Sequence, residues 1–189
     1  MRFPRVVLGY HFCLEPLATE LLTRKRPIGE WPVSRNTWDW LGEGIYFWEH
    51  GPGRARRWAE EKAAKVKGGA VPAVVGAVIQ LGDVLDLTDV RFTPLLRATY
   101  DLVAADYASK GLAMPENRGP DSDRKRRDRD CLVINEFFRR ASGTQFQAVR
   151  GAFEEGDPIF DGSKIRQETH LQIAVRDPSV ILGLFLPTG

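Results

Sequence analysis

Cysteine is scarce in this chain of 189 residues: only Cys13 and Cys131 occur, far apart and without metal-ligand spacing. That excludes a disulfide-stapled scaffold and fits a reducing compartment. Excess charge is also missing, since 27 Lys and Arg against 25 Asp and Glu leave a formal net charge of +2. So small a surplus gives no general attraction to nucleic acid or anionic lipid. No stretch approaches the roughly 20 apolar residues that span a bilayer, so no membrane partner is expected. The run in "MRFPRVVLGYHFC" is interrupted by Tyr10 and His11, and no small-residue cleavage pattern follows. It is not read as a signal peptide, and a cytoplasmic location is expected. No cluster of His, Cys and carboxylates suggests a metal, and there is no internal repeat or low-complexity tract.

What is present is an ordinary globular composition, 43% hydrophobic and 28% charged, long enough for one domain over 1–189 with one substantial core. "PRVVLGYHF" reads as a strand from about Arg5 to His11, with Pro4 tolerated at its start. Leu14, Leu17, Ala18, Leu21 and Leu22 then fall on one helical face, predicting a helix from about Glu15 to Lys25. "RPIGEWPVSRN" is a loop by its prolines and glycine. A helix from about Arg54 to Lys65 carries Ala55, Trp58, Ala59 and Ala63 on one side. "AVPAVVGAVIQ" reads as a buried central strand. Thr93 as N-cap, Pro94 in the first turn and Gly111 as stop delimit a further helix. A polar insertion covers about 112–129, and a short helix around Cys131 to Arg139 follows, with Asp130 as its cap. "GTQFQAVRGAFEEGDPIFDGSKI" looks irregular. "THLQIAVRDP" and "SVILGLFLP" read as two strands forming a C-terminal pair. Strands interleaved with three or four helices predict an α+β fold.

One stretch stands out, "DWLGEGIYFWE", Asp39 to Glu49. Gly42 and Gly44 form a tight turn directly before the aromatic strand Ile45-Tyr46-Phe47-Trp48, close in sequence to Trp31, Trp38 and Trp40. Glycines allow a sharp turn and a close backbone approach to a ligand, so the turn is expected to deliver Tyr46 to a ligand wall.

"GYHFC", "GEGIYF" and "QETHLQIAVRDP" occur in the order of the three signature elements of ADP-ribosyltransferases. The chain resembles the diphtheria-toxin and poly-ADP-ribose polymerase branch, and "VIQLGDVLDLTD" is similar to a strand and loop of that family. The resemblance implies a split antiparallel β-sheet core with flanking helices, and NAD+ as co-substrate between the first strand and the Tyr46 strand, with no metal. His11 falls on the His and Tyr46 on the Tyr of the family's His–Tyr–Glu triad. Counting back from Pro178 puts the third place at Gln172, making a His–Tyr–Gln variant. Phe12 stands where the family usually has a glycine that meets the nicotinamide amide. Arg54 lies near the place of a serine that contacts the same amide. Tyr10, His11, Phe12, Gly42, Gly44, Tyr46 and Arg54 are therefore the expected NAD+-binding residues.

The chemistry this implies is cleavage of the nicotinamide–ribose bond through an oxocarbenium-like sugar, as in glycoside cleavage. Tyr46 would stack on the cationic nicotinamide, an attraction of about 0.5–2 kcal/mol. His11 would hydrogen-bond a ribose hydroxyl. Gln172 can accept a hydrogen bond but brings no full charge, and a neutral hydrogen bond is roughly half as strong as a charge-assisted one. Either Gln172 suffices for a single transfer, or Glu168 supplies the charge. Glu168 shares a face with His170 and Gln172 if the strand begins early enough, and otherwise sits on a loop toward the acceptor.

The expected activity is mono-ADP-ribosyl transfer from NAD+ to a macromolecular acceptor, protein or nucleic acid, by a bacterial toxin-like enzyme with a possible antitoxin partner. The alternatives are an NAD+ glycohydrolase, an RNA 2′-phosphotransferase, and an inactive module that binds NAD+, ADP-ribose or a protein. "RKRR", Arg124 to Arg127, is read as a charge-balanced solvated loop. "SRNTWDW" is read as core and lid packing, with a wall over the nucleotide as the functional option. "NEFFRR" is read as a core-packed amphipathic helix, and both cysteines as buried small hydrophobes.

Overall fold

The computed structural model describes residues 5–65, 69–119, 125–141 and 146–188. Among these described residues nine strands run in chain order: β1 Arg5–Leu14, β2 Ile45–Glu49, β3 Pro72–Leu81, β4 Val84–Asp86, β5 Asn117–Arg118, β6 Arg126–Arg127, β7 Ala148–Phe153, β8 His170–Val175 and β9 Ile181–Phe185. Four helices accompany them: α1 Glu15–Leu22, α2 Pro52–Ala63, α3 Thr93–Ser109 and α4 Asp128–Arg140. Seven strands form one sheet in the order β4-β7-β8-β2-β1-β3-β9, and β5 pairs with β6 in a separate ribbon. All neighbours in the large sheet are antiparallel except the edge pair β4–β7, which is parallel. This is an α+β architecture with a mixed sheet, where a wholly antiparallel one was expected.

Two apolar clusters form the core, and the period-two alternation of strands sorts side chains between them. Ile45 and Phe47 of β2 join Val7, Val75, Ile79 and Ile173 in one cluster. Tyr46, on the opposite side of β2, packs against the second cluster with Leu41, Ile134, Phe137, Val149 and Ala174. Burying β-branched and aromatic side chains on both sides stabilises such a sheet by about 1.5–3 kcal/mol per large side chain. Arg150 of β7 crosses the interior as a charged tie. Its guanidinium donates to Glu49 at 2.5 and 2.9 Å, to Asp86 at 3.2 Å and to the Thr88 hydroxyl at 2.9 Å. Asp86 also accepts from Arg5 at 2.8 Å, so β1, β2, β4 and β7 meet in one ionic network.

Several expectations need correction. The segment read as irregular contains β7, whose Ala148-Val149-Arg150-Gly151 run is buried throughout. Small residues and a buried cation erase the alternation that marks a half-buried strand. The two C-terminal strands do not pair with each other. β8 inserts between β7 and β2, while β9 lies at the far edge on β3. Thr93 is not an N-cap; it is the first residue of α3, and its hydroxyl donates to the Val90 carbonyl at 3.0 Å. Asp130 likewise lies inside α4, which begins at Asp128. α1 stops at Leu22, earlier than Lys25. The polar insertion holds β5, β6 and the start of α4; its residues 120–124, including Arg124, lie outside the described residues. Cys13 and Cys131 are buried as expected. α4 buries Cys131, Val133, Ile134 and Phe137, as the amphipathic reading of "NEFFRR" required. Among the described residues no helix is long and apolar enough to cross a membrane.

Candidate active site

The site begins at the seam with the shortest register in the large sheet. β1 and β2 are in register only at Gly9–Glu49 and Tyr10–Trp48. Beyond Tyr10 the two strands part, and the imidazole of His11 fills the gap. Its Nδ1 lies 2.7 Å from the Tyr46 carbonyl, and Trp31 Nε1 donates to its Nε2 at 3.3 Å. Nε2 therefore accepts, and Nδ1 carries the proton given to Tyr46. Burial lowers the His11 pKa to about 4 despite the opposing Tyr46 carbonyl, so the ring is neutral at physiological pH. Phe47 and Trp31 pack on it with ring centroids 5.6 and 4.9 Å away.

The glycine turn is built against protein as much as against a ligand. Gly42 has φ +73°, the left-handed region, and a Cβ there would come within 2.5 Å of Asn135 Oδ1 and 2.6 Å of Arg176 Nη2. Gly44 passes so near β8 that a Cβ would lie 2.9 Å from Ala174 Cβ. The close approach is thus to β8 and α4. It sets the loop so that Ser34 and Gly44 exchange two backbone hydrogen bonds at 2.9 and 3.1 Å. Tyr46 is tied to the same turn: its hydroxyl donates to the Gly42 carbonyl at 2.7 Å and accepts from Leu41 N at 2.8 Å. Burial pushes its phenol well above the usual value, so it stays protonated.

The opening between β1 and β2 leads into a cavity of about 400 Å³, within the range of small-molecule sites. His11, Phe12, Gly44, Tyr46, Arg54 and Gln172 all line it. Three positions distant in the sequence, 11, 46 and 172, therefore share one cleft. Among the described residues no hydrogen bond engages the Gln172 amide, which leaves it available to a ligand. Tyr10 and Gly42 do not line the cleft. Tyr10 packs edge-on against Phe185, and Gly42 acts from behind the wall. Glu168 is also absent from the lining, because β8 begins only at His170. Its carboxylate is spent on Arg57 at 2.8 Å and Arg54 at 3.3 Å.

Other residues at the cleft carry no motif. Trp38, Trp40, Trp48 and Trp58 supply indole walls, while Trp31 belongs to the core. Lys62 lies over Trp58 at 4.5 Å, and Arg126 over Trp38 at 4.6 Å. Lys125 and Arg126 line the cleft, so the described part of the basic run is not merely a solvated loop. The Trp40 indole draws it in by donating to the Lys125 carbonyl at 2.7 Å. Glu155, just after β7, lines the cleft and is almost fully buried. Arg54 donates to it at 2.7 Å, and Lys125 lies at 3.3 Å. Burial raises the Glu155 pKa, but the Arg54 hydrogen bond and charge, with Lys125, outweigh it and hold the carboxyl below its usual range. The guanidinium of Arg54 sits 5.6 and 5.5 Å from the Trp48 and Trp58 ring centres. The signal for Glu155 is "FEEGDP", two glutamates at a Gly-Asp-Pro turn, which becomes readable only once β7 is recognised.

Chemically, the cleft offers flat apolar walls for ring systems, four cations (Arg54, Lys62, Lys125 and Arg126), an uncommitted amide and a buried carboxylate. Among the described residues no group of His, Cys, Asp and Glu could hold a metal ion. No protein-family model, no curated protein and no solved structure matches this chain.

Proposed function

We propose that the chain is a mono-ADP-ribosyltransferase that cleaves NAD+ at the nicotinamide–ribose bond and passes ADP-ribose to a macromolecular acceptor. The observation that carries this reading is the convergence of His11, Tyr46 and Gln172 on one cleft at the parting of β1 and β2. NAD+ fits the donor set. The indoles and Tyr46 suit two flat rings, the cations suit a pyrophosphate, and the Gln172 amide suits a ribose hydroxyl. His11 contributes chiefly by holding Tyr46 and the strand opening, since both its ring nitrogens have protein partners; a ligand hydroxyl reaches Nε2 only by displacing Trp31. A toxin-like role inside its own cell would require a neutralising antitoxin.

A second reading is an inactive module that binds NAD+ or ADP-ribose. It is favoured by the same committed His11 ring and by the neutral Gln172. Incubation with labelled NAD+ and cell extract, followed by protease or nuclease digestion, separates the two. Transfer of label that Tyr46→Ala abolishes supports the transferase. Nicotinamide release without labelled acceptor makes the protein a glycohydrolase. Binding of NAD+ with neither outcome makes it a module.

A further inference from the structure

The third position of the triad holds an amide, and cleavage of NAD+ develops positive charge on the sugar, so the question is which carboxylate can reach that sugar. Only two carboxylates line the cleft among the described residues, Asp39 and Glu155. Asp39 is consumed by its own loop. One of its oxygens accepts from the Ser34 hydroxyl at 2.7 Å and from Asn36 N at 3.0 Å, and the other from Asn36 Nδ2 at 3.2 Å. Glu168 lies outside the lining, with each oxygen on an arginine.

Glu155 is held differently. Its Oε2 is clamped at 2.7 Å by Arg54, whose side chain is only 10% exposed and is wedged between two indoles. Its Oε1 faces Lys125 at 3.3 Å, and that lysine side chain is 55% exposed and itself lines the cleft. One oxygen is thus fixed by a buried partner that sets the carboxylate's orientation. The other is covered only by a long surface side chain that an entering anion can draw away. Glu168 shares with Glu155 the same Arg54 nitrogen, Nη2, at 3.3 Å, and the Glu168 backbone amide donates to the Glu155 carbonyl at 2.9 Å. Glu168 thus neighbours the carboxylate from outside the lining, while Gln172 of β8, opposite Gly151 of β7, lines the same cleft as Glu155.

We propose that Glu155, carried by the turn after β7, is the carboxylate that acts on the NAD+ ribose, with Glu168 a positioning residue that works through Arg54. The inference rests on the reading of the cleft as an NAD+ site. In the step, the bond between ribose C1′ and the nicotinamide nitrogen breaks. Its electron pair leaves with nicotinamide, which departs neutral. The Glu155 charge stabilises the cationic sugar while the Gln172 amide orients a ribose hydroxyl. The acceptor's nucleophilic atom bonds to C1′ and gives its proton to Glu155, which passes it to water. The sum is NAD+ plus protonated acceptor giving ADP-ribosyl acceptor, nicotinamide and one proton.

The test is steady-state nicotinamide release by the full chain with NAD+ and cell extract, for wild type, Glu155→Gln and Glu168→Gln, with NAD+ binding followed by calorimetry. The glutamine keeps the hydrogen bond from Arg54 and removes only the charge. Glu155→Gln is expected to lower kcat by about a hundred- to a thousand-fold with the NAD+ dissociation constant little changed. Glu168→Gln is expected to lose less than about ten-fold. Full turnover by Glu155→Gln, or a larger loss in Glu168→Gln, overturns the assignment. If Glu155→Gln does not fold, Glu155→Asp keeps the charge but withdraws it from the sugar, and undiminished kcat in that variant also overturns it. A wild type that neither binds NAD+ nor releases nicotinamide overturns the NAD+ reading and this proposal together, a result visible without any variant.

Discussion

Strand β1 has two neighbours, and it treats them differently. Along β3 it is paired from Arg5–Leu81 to Leu14–Pro72, over its whole length. Along β2 the register holds only at Gly9–Glu49 and Tyr10–Trp48. The closed seam needs no side-chain help, because two apolar runs satisfy each other's backbone groups. The open seam leaves the Tyr46 carbonyl without a strand partner on that side, and the His11 ring supplies the missing donor. A cleft in the middle of a sheet has to solve this accounting, since buried backbone groups are rarely left unpaired. The imidazole reaches across a gap too wide for a ladder bond, which allows the strands to separate and admit a ligand without an orphaned carbonyl.

If the halves on either side of the open seam are to stay together, something must span it elsewhere, and the Arg150 network does so. It joins Glu49 on β2 and Asp86 on β4, and Asp86 reaches Arg5 on β1. Burial raises the Asp86 pKa, but hydrogen bonds from Thr88 and Arg5 and the Arg150 charge outweigh it and hold it at about 2. Arg150→Met would strand the Glu49 and Asp86 carboxylates in the interior. The largest effect on stability is expected here, a loss of about 3–5 kcal/mol in denaturant unfolding. A loss below about 1 kcal/mol would mean that the network does not hold the halves together. Next comes the seam itself. His11→Ala removes the bridging donor and loosens Tyr46, and under the proposed function nicotinamide release should fall about a hundred- to a thousand-fold, equivalent to about 2.7–4 kcal/mol. A folded His11→Ala protein with normal turnover would move the chemistry away from this opening.

The charge state of the bridge gives a pH signature. Burial holds the His11 pKa at about 4 in the folded chain, below the ordinary imidazole value of 6.5. Between these values the unfolded chain binds the proton and the folded chain does not, so stability is lost as pH falls through that window and is fully present above it. The ring keeps some exposure at the cleft mouth, so the loss is at most about 3 kcal/mol. Denaturant unfolding of wild type and His11→Gln at pH 7, 5.5 and 4 should show a steeper acid loss in the wild type. Parallel curves would mean that the imidazole is not buried as a neutral donor.

Legibility followed the same division between closed and open seams. β1 and β3 are legible because each carries an apolar, β-branched run, although β1 leaves Val6 and Leu8 exposed and buries only alternate residues at its start. The aromatic strand after Gly42 and Gly44 was equally plain. β7 was not, because a buried Arg150 and Gly151 look like loop residues until Glu49 and Asp86 are known to face the guanidinium. Without β7 nothing in the sequence sets Glu155 apart, and the pattern points only to Glu168, whose carboxylate pairs with Arg57 and Arg54. Tyr10 was legible as strand but not as facing Phe185, since β9 lies far along the chain and reaches β1 only across β3. The tryptophans were legible as a cluster; which of them turn inward depends on the Ser34–Gly44 bridge, a long-range pairing that no local pattern encodes.

The smallest and sharpest test concerns Gly9, where the closed and open seams meet. It pairs with Ala77 on β3 and with Glu49 on β2, and a Cβ there would lie 2.6 Å from Ile79 Cδ1 and 2.9 Å from Phe47 Cβ. The isoleucine tip can rotate, but the Phe47 Cβ is fixed to the backbone, so Gly9→Ala must push β2 away from β1. Overpacking of this kind costs about 1–3 kcal/mol. Phe47 lines the cleft and packs on His11, so the same methyl should also weaken NAD+ binding if the cleft is its site. Gly183→Ala on the edge strand β9 is the matched control: a Cβ there meets nothing within 4 Å, and its effect should stay within about 0.5 kcal/mol. Equal costs at the two positions would show that the β1–β2 contact is no tighter than a free edge. A cost confined to Gly9, with His11 bridging intact in its pH profile, would identify the two-residue register as the hinge on which the opening depends.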